Sequence, residues 1–167
     1  MTVQDNHNAA DPRDLVGKDV GVSEWFAIDQ ARIDLFSQAT SDPDPMHIDP
    51  AWCEKNSPYR HTIAFGFLTI SLLTHMARQA IPWSDGEYGM NYGFEKLRLI
   101  SPVPVNARIR ARFRLLSIEQ RQVGRLYRFE VAVEIENQDK PAMAAEWLVL
   151  GARDSASLGS KPAVQAS

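Results

Sequence analysis

A single cysteine, Cys53, stands among the 167 residues, which leaves no intramolecular disulfide and no CxxC pair for a thiolate zinc site. A reducing, cytoplasmic setting is therefore expected. Long apolar runs are missing too: no stretch approaches the roughly 18–20 consecutive apolar residues that a membrane-spanning helix requires. Neither sign of charge dominates, since 18 Lys and Arg face 21 Asp and Glu for a net charge of −3 at pH 7. Such a balance provides no electrostatic footprint for DNA or RNA, so nucleic acid is not an expected partner. The opening MTVQDNHNAADPRD lacks both a basic region and an apolar core, so it does not read as a secretory signal. No internal repeat is visible.

What is present describes one globular domain. The length suits a single domain, and 44% apolar with 23% charged residues suffices for a real core. Residues 1–12 and 153–167 are polar or small-residue stretches and read as a disordered and a flexible tail around a folded domain at 13–152. After a short strand near Val22 to Ile28, Asp29 is placed to cap a helix running through Thr40. Proline disfavours helical geometry in the residue before it, so Asp42 opens an irregular segment, SDPDPMHIDP. Pro50 then starts a short helix, PAWCEKN. Gly66 to Ile81 carries apolar groups around most of a helical circumference, which predicts a helix buried nearly all round.

From Tyr88 the period changes to alternation, and the rest of the domain reads as strands near 88–100, 107–115, 127–135 and 142–152. Ile109, Ala111, Phe113 and Leu115 face one way while Arg108, Arg110, Arg112 and Arg114 face the other. That arginine row suits either a phosphate-attracting strip or, in the preferred reading, a solvated face with cross-strand partners in Glu130 and Glu134. A meander of long antiparallel strands curved around a buried apolar helix, an α+β arrangement, satisfies these patterns together.

The segment richest in chemistry is Asp42-Pro43-Asp44-Pro45-Met46-His47-Ile48-Asp49, followed by Ala64-Phe65-Gly66-Phe67-Leu68-Thr69 at the start of the apolar helix. Alone, Asp42 and Asp44 suit ordinary turn and cap roles. Asp42, Asp44, His47 and Asp49 could also be imagined around a divalent ion, although the calcium-loop spacing is absent. A third reading is acid–base chemistry, for which Asp42 and His47 offer a carboxylate and an imidazole on a proline-stiffened loop. Cys53 reads as packed beneath its helix, and His61 and His75 as a loop and a helix residue without catalytic roles.

On these residues the chain resembles the MaoC-like dehydratases and (R)-specific enoyl-CoA hydratases, in particular the branch like nodulation protein N. Asp42, Pro45, His47, Asp49 and Gly66 match the family pattern, with further echoes in Asn91-Tyr92-Gly93 and Pro102-Val103-Pro104-Val105, over roughly residues 20–152. The resemblance implies a single hotdog fold and a homodimer joined edge to edge. It implies a hydratase/dehydratase that works on a 2-enoyl thioester of coenzyme A or acyl-carrier protein, giving an (R)-3-hydroxyacyl thioester without a cofactor. Asp42 and His47 would be catalytic and the Gly66 N–H an oxyanion-hole donor, with Asp44, Asp49, Phe65, Phe67 and Tyr92 binding substrate or supporting the site. The chain departs from the family where Asp44 replaces the usual Asn and Phe65 the common His before the glycine. A hotdog thioesterase and a non-catalytic acyl-thioester-binding protein are the alternatives.

Overall fold

The computed structural model describes residues 11–83 and 88–152. The expected tails lie outside these residues except for Asp11 and Pro12, which lead into a 3-10 turn, Pro12–Leu15, whose Leu15 packs on the core. Strands β1 (Asp19–Val22) and β2 (Phe26–Ala27) precede helix α1 (Gln30–Thr40), the short helical turn α2 (Pro45–Ile48) and helix α3 (Pro50–Asn56). Next come α4 (Gly66–Ser71) and α5 (Leu73–Ala80), then β3 (Tyr88–Leu99), β4 (Arg108–Arg121), β5 (Gly124–Ile135) and β6 (Met143–Ala152).

The strands form one antiparallel sheet in the order β1-β4-β5-β6-β3, with β2 also paired to β4. Three of the long strands form the expected meander, β4-β5-β6, but β3 crosses to the free edge of β6 instead of joining β4. Alternation within a strand determines its faces and not its neighbours, which is why this crossover was not visible in the pattern. The inner face is apolar: Phe113, Phe129, Val133 and Met143 are essentially inaccessible and pack against Leu68, Leu73 and Met76 of the helices. Fully burying side chains of this size contributes about 1.5–3 kcal/mol each, which makes the sheet–helix contact the main source of stability. Strand β1 approaches the end of α5 so closely that a Cβ on Gly21 would lie 2.0 Å from the Ala80 carbonyl oxygen. Only glycine fits that crossing.

The apolar helix differs from expectation in two ways. It is interrupted at Leu72, beside Ser71, whose hydroxyl donates to the Phe67 carbonyl at 2.7 Å in the back-bonding that bends helices. It is also not buried all round, because the sheet covers one side only: Phe67 is 73% exposed, and Ser71, Thr74, His75 and Arg78 face outward.

On the outer face the arginine row makes cross-strand ion pairs: Arg110 and Arg112 with Glu134, and Arg108 with Glu136. Arg114 lies opposite Glu130 in the register, but among the described residues the two form no ion pair. Glu146 accepts from Lys96 and, at 2.8 Å, from Arg128. Those hydrogen bonds, Lys96 first, hold its carboxyl below the usual range. A depressed carboxyl contributes stability above its ordinary range and loses it as the pH falls through the lowered value. Glu146→Gln is therefore expected to flatten the acid side of the stability profile, measured as melting temperature from about pH 6 down to about pH 2.

Candidate functional site

Three pieces of chain meet at the site: the end of α1, the proline-rich loop with α2, and the stretch leading into α4. Helix α1 stops because Ser41 adopts a left-handed conformation (φ 56°). The Asp42 N–H then donates to the Ser37 carbonyl at 3.1 Å, and the buried Ser37 hydroxyl donates to the Asp42 carbonyl at 2.6 Å. Two ties fix the backbone of Asp42 while its carboxylate stays exposed, one oxygen accepting the Asp44 N–H at 3.2 Å.

The neighbouring acids have structural duties. Asp44 caps α2 by accepting the Met46 N–H at 2.9 Å, and Asp49 caps α3 by accepting the Trp52 N–H at 2.8 Å. Caps of this kind contribute about 1 kcal/mol each and set where the chain turns. The segment expected to be irregular thus contains one helical turn, Pro45–Ile48, because Asp44 caps it and Pro45 occupies its first position.

His47 sits on that turn, half-buried, with Nδ1 2.7 Å from the Ile63 carbonyl oxygen. A carbonyl only accepts, so Nδ1 carries the proton and donates, and Nε2 of the neutral ring presents its lone pair away from this anchor. The ring lies over Phe65, with centroids 3.8 Å apart and planes tilted by 32°. Phe65 is itself buried and packs on Phe36 at 5.3 Å. The aromatic residue at 65 therefore supports the imidazole from below.

His47 and Gly66 line one cleft of about 260 Å³, whose other walls include Tyr59, Thr69, Leu99 and Ser101. Gly66 is the first residue of α4, where an N–H has no intrahelical acceptor and the helix presents partial positive charge. A Cβ there would lie 2.3 Å from Cδ1 of Leu99, so any larger residue displaces the wall of the cleft.

The structure thus brings His47, Phe65 and Gly66 together. Asp42 does not line the cleft, and among the described residues no hydrogen bond joins it to His47. Phe67 (73% exposed) and Tyr92 (64% exposed, on edge strand β3) also lie outside the cleft lining. Sequence reasoning missed Tyr59, Leu99 and Ser101, which reach the site by long-range folding and carry no local signal. Cys53 is fully buried beneath α2, its Sγ 3.4 Å from the Met46 carbonyl, and burial pushes its thiol up, away from a nucleophilic thiolate.

A family model, the MaoC like domain, matches residues 12–138. The chain belongs to the MaoC-like family. It is 41% identical to nodulation protein N of Rhizobium meliloti over 143 residues, covering 84% of this chain and 89% of that protein. It is 36% identical to 3-hydroxyacyl-thioester dehydratase Z of Mycobacterium tuberculosis over 143 residues, covering 85% and 94%. The R-hydratase PhaJ1 from Pseudomonas aeruginosa superimposes with a TM-score of 0.68 over 83% of each chain at 19% identity, a likeness of fold. That fold is the hotdog, an open antiparallel sheet wrapped on its helix, and the MaoC-like chain has it. No helix among the described residues is long and apolar enough to cross a membrane.

Proposed function

We propose that this MaoC-like protein is a lyase that reversibly adds water to a trans-2-enoyl thioester, carried by coenzyme A or acyl-carrier protein, to give the (R)-3-hydroxyacyl thioester. The observation that supports this best is the 2.7 Å bond from His47 Nδ1–H to the Ile63 carbonyl, in a cleft shared with the start of α4. It orients an imidazole whose free Nε2 handles a water proton, beside a backbone N–H that suits a thioester oxygen. In the hydration direction the water oxygen bonds to Cβ, one water proton passes to His47 Nε2, and a proton returns to Cα. The electrons displaced from the double bond rest on the thioester oxygen, where the Gly66 N–H stabilises them; one such donor contributes about 3–4 kcal/mol in the transition state. The thioester already activates the carbonyl, so the reaction asks for no cofactor.

The working form is a homodimer in this reading. Strand β3 is a twelve-residue strand that, among the described residues, pairs on its β6 side alone, and Tyr88, Met90, Tyr92 and Leu99 on it are exposed. A long apolar edge of this kind calls for a second strand, which a second copy supplies.

Incubation with crotonyl-CoA tests the activity. Loss of the conjugated thioester absorbance without release of free thiol is the expected result. Thiol release would instead make the protein a thioesterase, and no turnover would leave a binder of acyl thioesters.

A further inference from the structure

The side chain of Gln30, the first residue of α1, lies between the two segments that carry the site, and each of its polar atoms is engaged. Its Nε2 donates to the main-chain carbonyl of His47 at 2.8 Å and to the Asp34 carboxylate at 2.8 Å. Its Oε1 accepts the hydroxyl of Thr62, which is only 1% exposed, at 2.6 Å. The amide cannot be reversed, because its oxygen would then face a carbonyl and a carboxylate, both acceptors. Thr62 in turn belongs to a stretch held on both sides: Val105 N–H donates to its carbonyl at 3.0 Å and Ala64 N–H to the Val103 carbonyl at 2.8 Å. Between these two ties sits Ile63, whose carbonyl anchors the His47 ring and whose N–H donates to the Met46 carbonyl at 3.3 Å.

The geometry points to Gln30 as a positioning residue: its amide, locked by Thr62, holds the backbone of His47 at the distance and angle that aim the ring at Ile63 and Nε2 into the cleft. Among the described residues the ring makes one hydrogen bond, to the Ile63 carbonyl, and a shift of the His47 main chain by an ångström swings the ring off that carbonyl. Small misplacements of a reacting group cost rate out of proportion to their size, and partners that orient a functional imidazole matter for that reason. The role rests on the proposed reading that His47 moves the proton of water.

The test uses the full chain labelled with ¹⁵N-histidine, the His47 signals being assigned by their loss in His47→Ala. The native protein is expected to show His47 in the Nδ1-protonated tautomer at neutral pH. In Gln30→Leu the two tautomers should mix, and kcat on crotonyl-CoA should fall about ten- to a hundredfold with KM within about twofold. Thr62→Val, close in shape, should shift both readouts in the same direction, and Thr62→Ser should restore them. Should Gln30→Leu fail to fold, Thr62→Val decides. An unchanged tautomer and kcat in a folded Thr62→Val or Gln30→Leu variant overturns the role. Tautomer mixing in Gln30→Leu, in a protein whose native form does not hydrate crotonyl-CoA, would keep the positioning role and remove the hydratase reading.

Discussion

His47→Ala is expected to lower kcat/KM for crotonyl-CoA by about a thousandfold while the protein stays folded. Positioned acid–base groups contribute typically about 10²–10⁴-fold, and the Nε2 of His47 is the ring nitrogen not committed to the Ile63 anchor. Binding should suffer little, because most of the cleft wall is built by other residues, among them Thr69, Leu99 and Pro102. The structural cost is the ring's hydrogen bond to the Ile63 carbonyl, about 1 kcal/mol, together with its contact on Phe65. Circular dichroism should report an intact fold beside the lost activity. A variant with nearly native kcat/KM would remove His47 from the chemistry.

Phe65→Ala should be the most disruptive change for fold and activity together. Its ring is 5% exposed and touches both Phe36 and His47, so truncation leaves a cavity beneath the imidazole. Substitutions of this type cost about 3–5 kcal/mol, which in a domain of this size lowers the melting temperature by roughly 10 °C. The imidazole loses the face on which it rests, and kcat should fall with it. Phe65→His, which keeps an aromatic ring at the position where the family commonly has histidine, should retain more of both. Scanning calorimetry with steady-state assays checks the pair; a native melting temperature in Phe65→Ala would mean that the ring is not packed as described.

Much of the fold was legible wherever a local rule acts on adjacent residues. Asp29 caps α1 and Pro50 opens α3 at the expected positions, and the alternation from Ile109 to Ile135 becomes a hairpin with its arginines outward. The pattern could not show where β3 pairs, because that depends on which edge is free once β4, β5 and β6 have assembled. It overstated the burial of the apolar helix for a related reason: an apolar residue such as Phe67 does not record whether anything covers it. At the site, His47 and Gly66 were legible as a motif and do share a cleft. Asp44 and Asp49 turned out to cap helices, a role their residue type allowed from the start. Phe65 departs from the family pattern, but its stacking on His47 is a contact no spacing rule encodes. Gln30 and Thr62 lie 32 positions apart and left no trace in the sequence.

The proposed reaction requires that one imidazole and one helix-starting N–H act on the same thioester. A crystal structure of the protein soaked with butyryl-CoA, the saturated analogue that cannot be hydrated, tests this arrangement. The expected density has the thioester oxygen about 3 Å from the Gly66 nitrogen and a water on His47 Nε2 facing Cβ. An acyl group seated elsewhere, or an imidazole turned from the bound thioester, would contradict it.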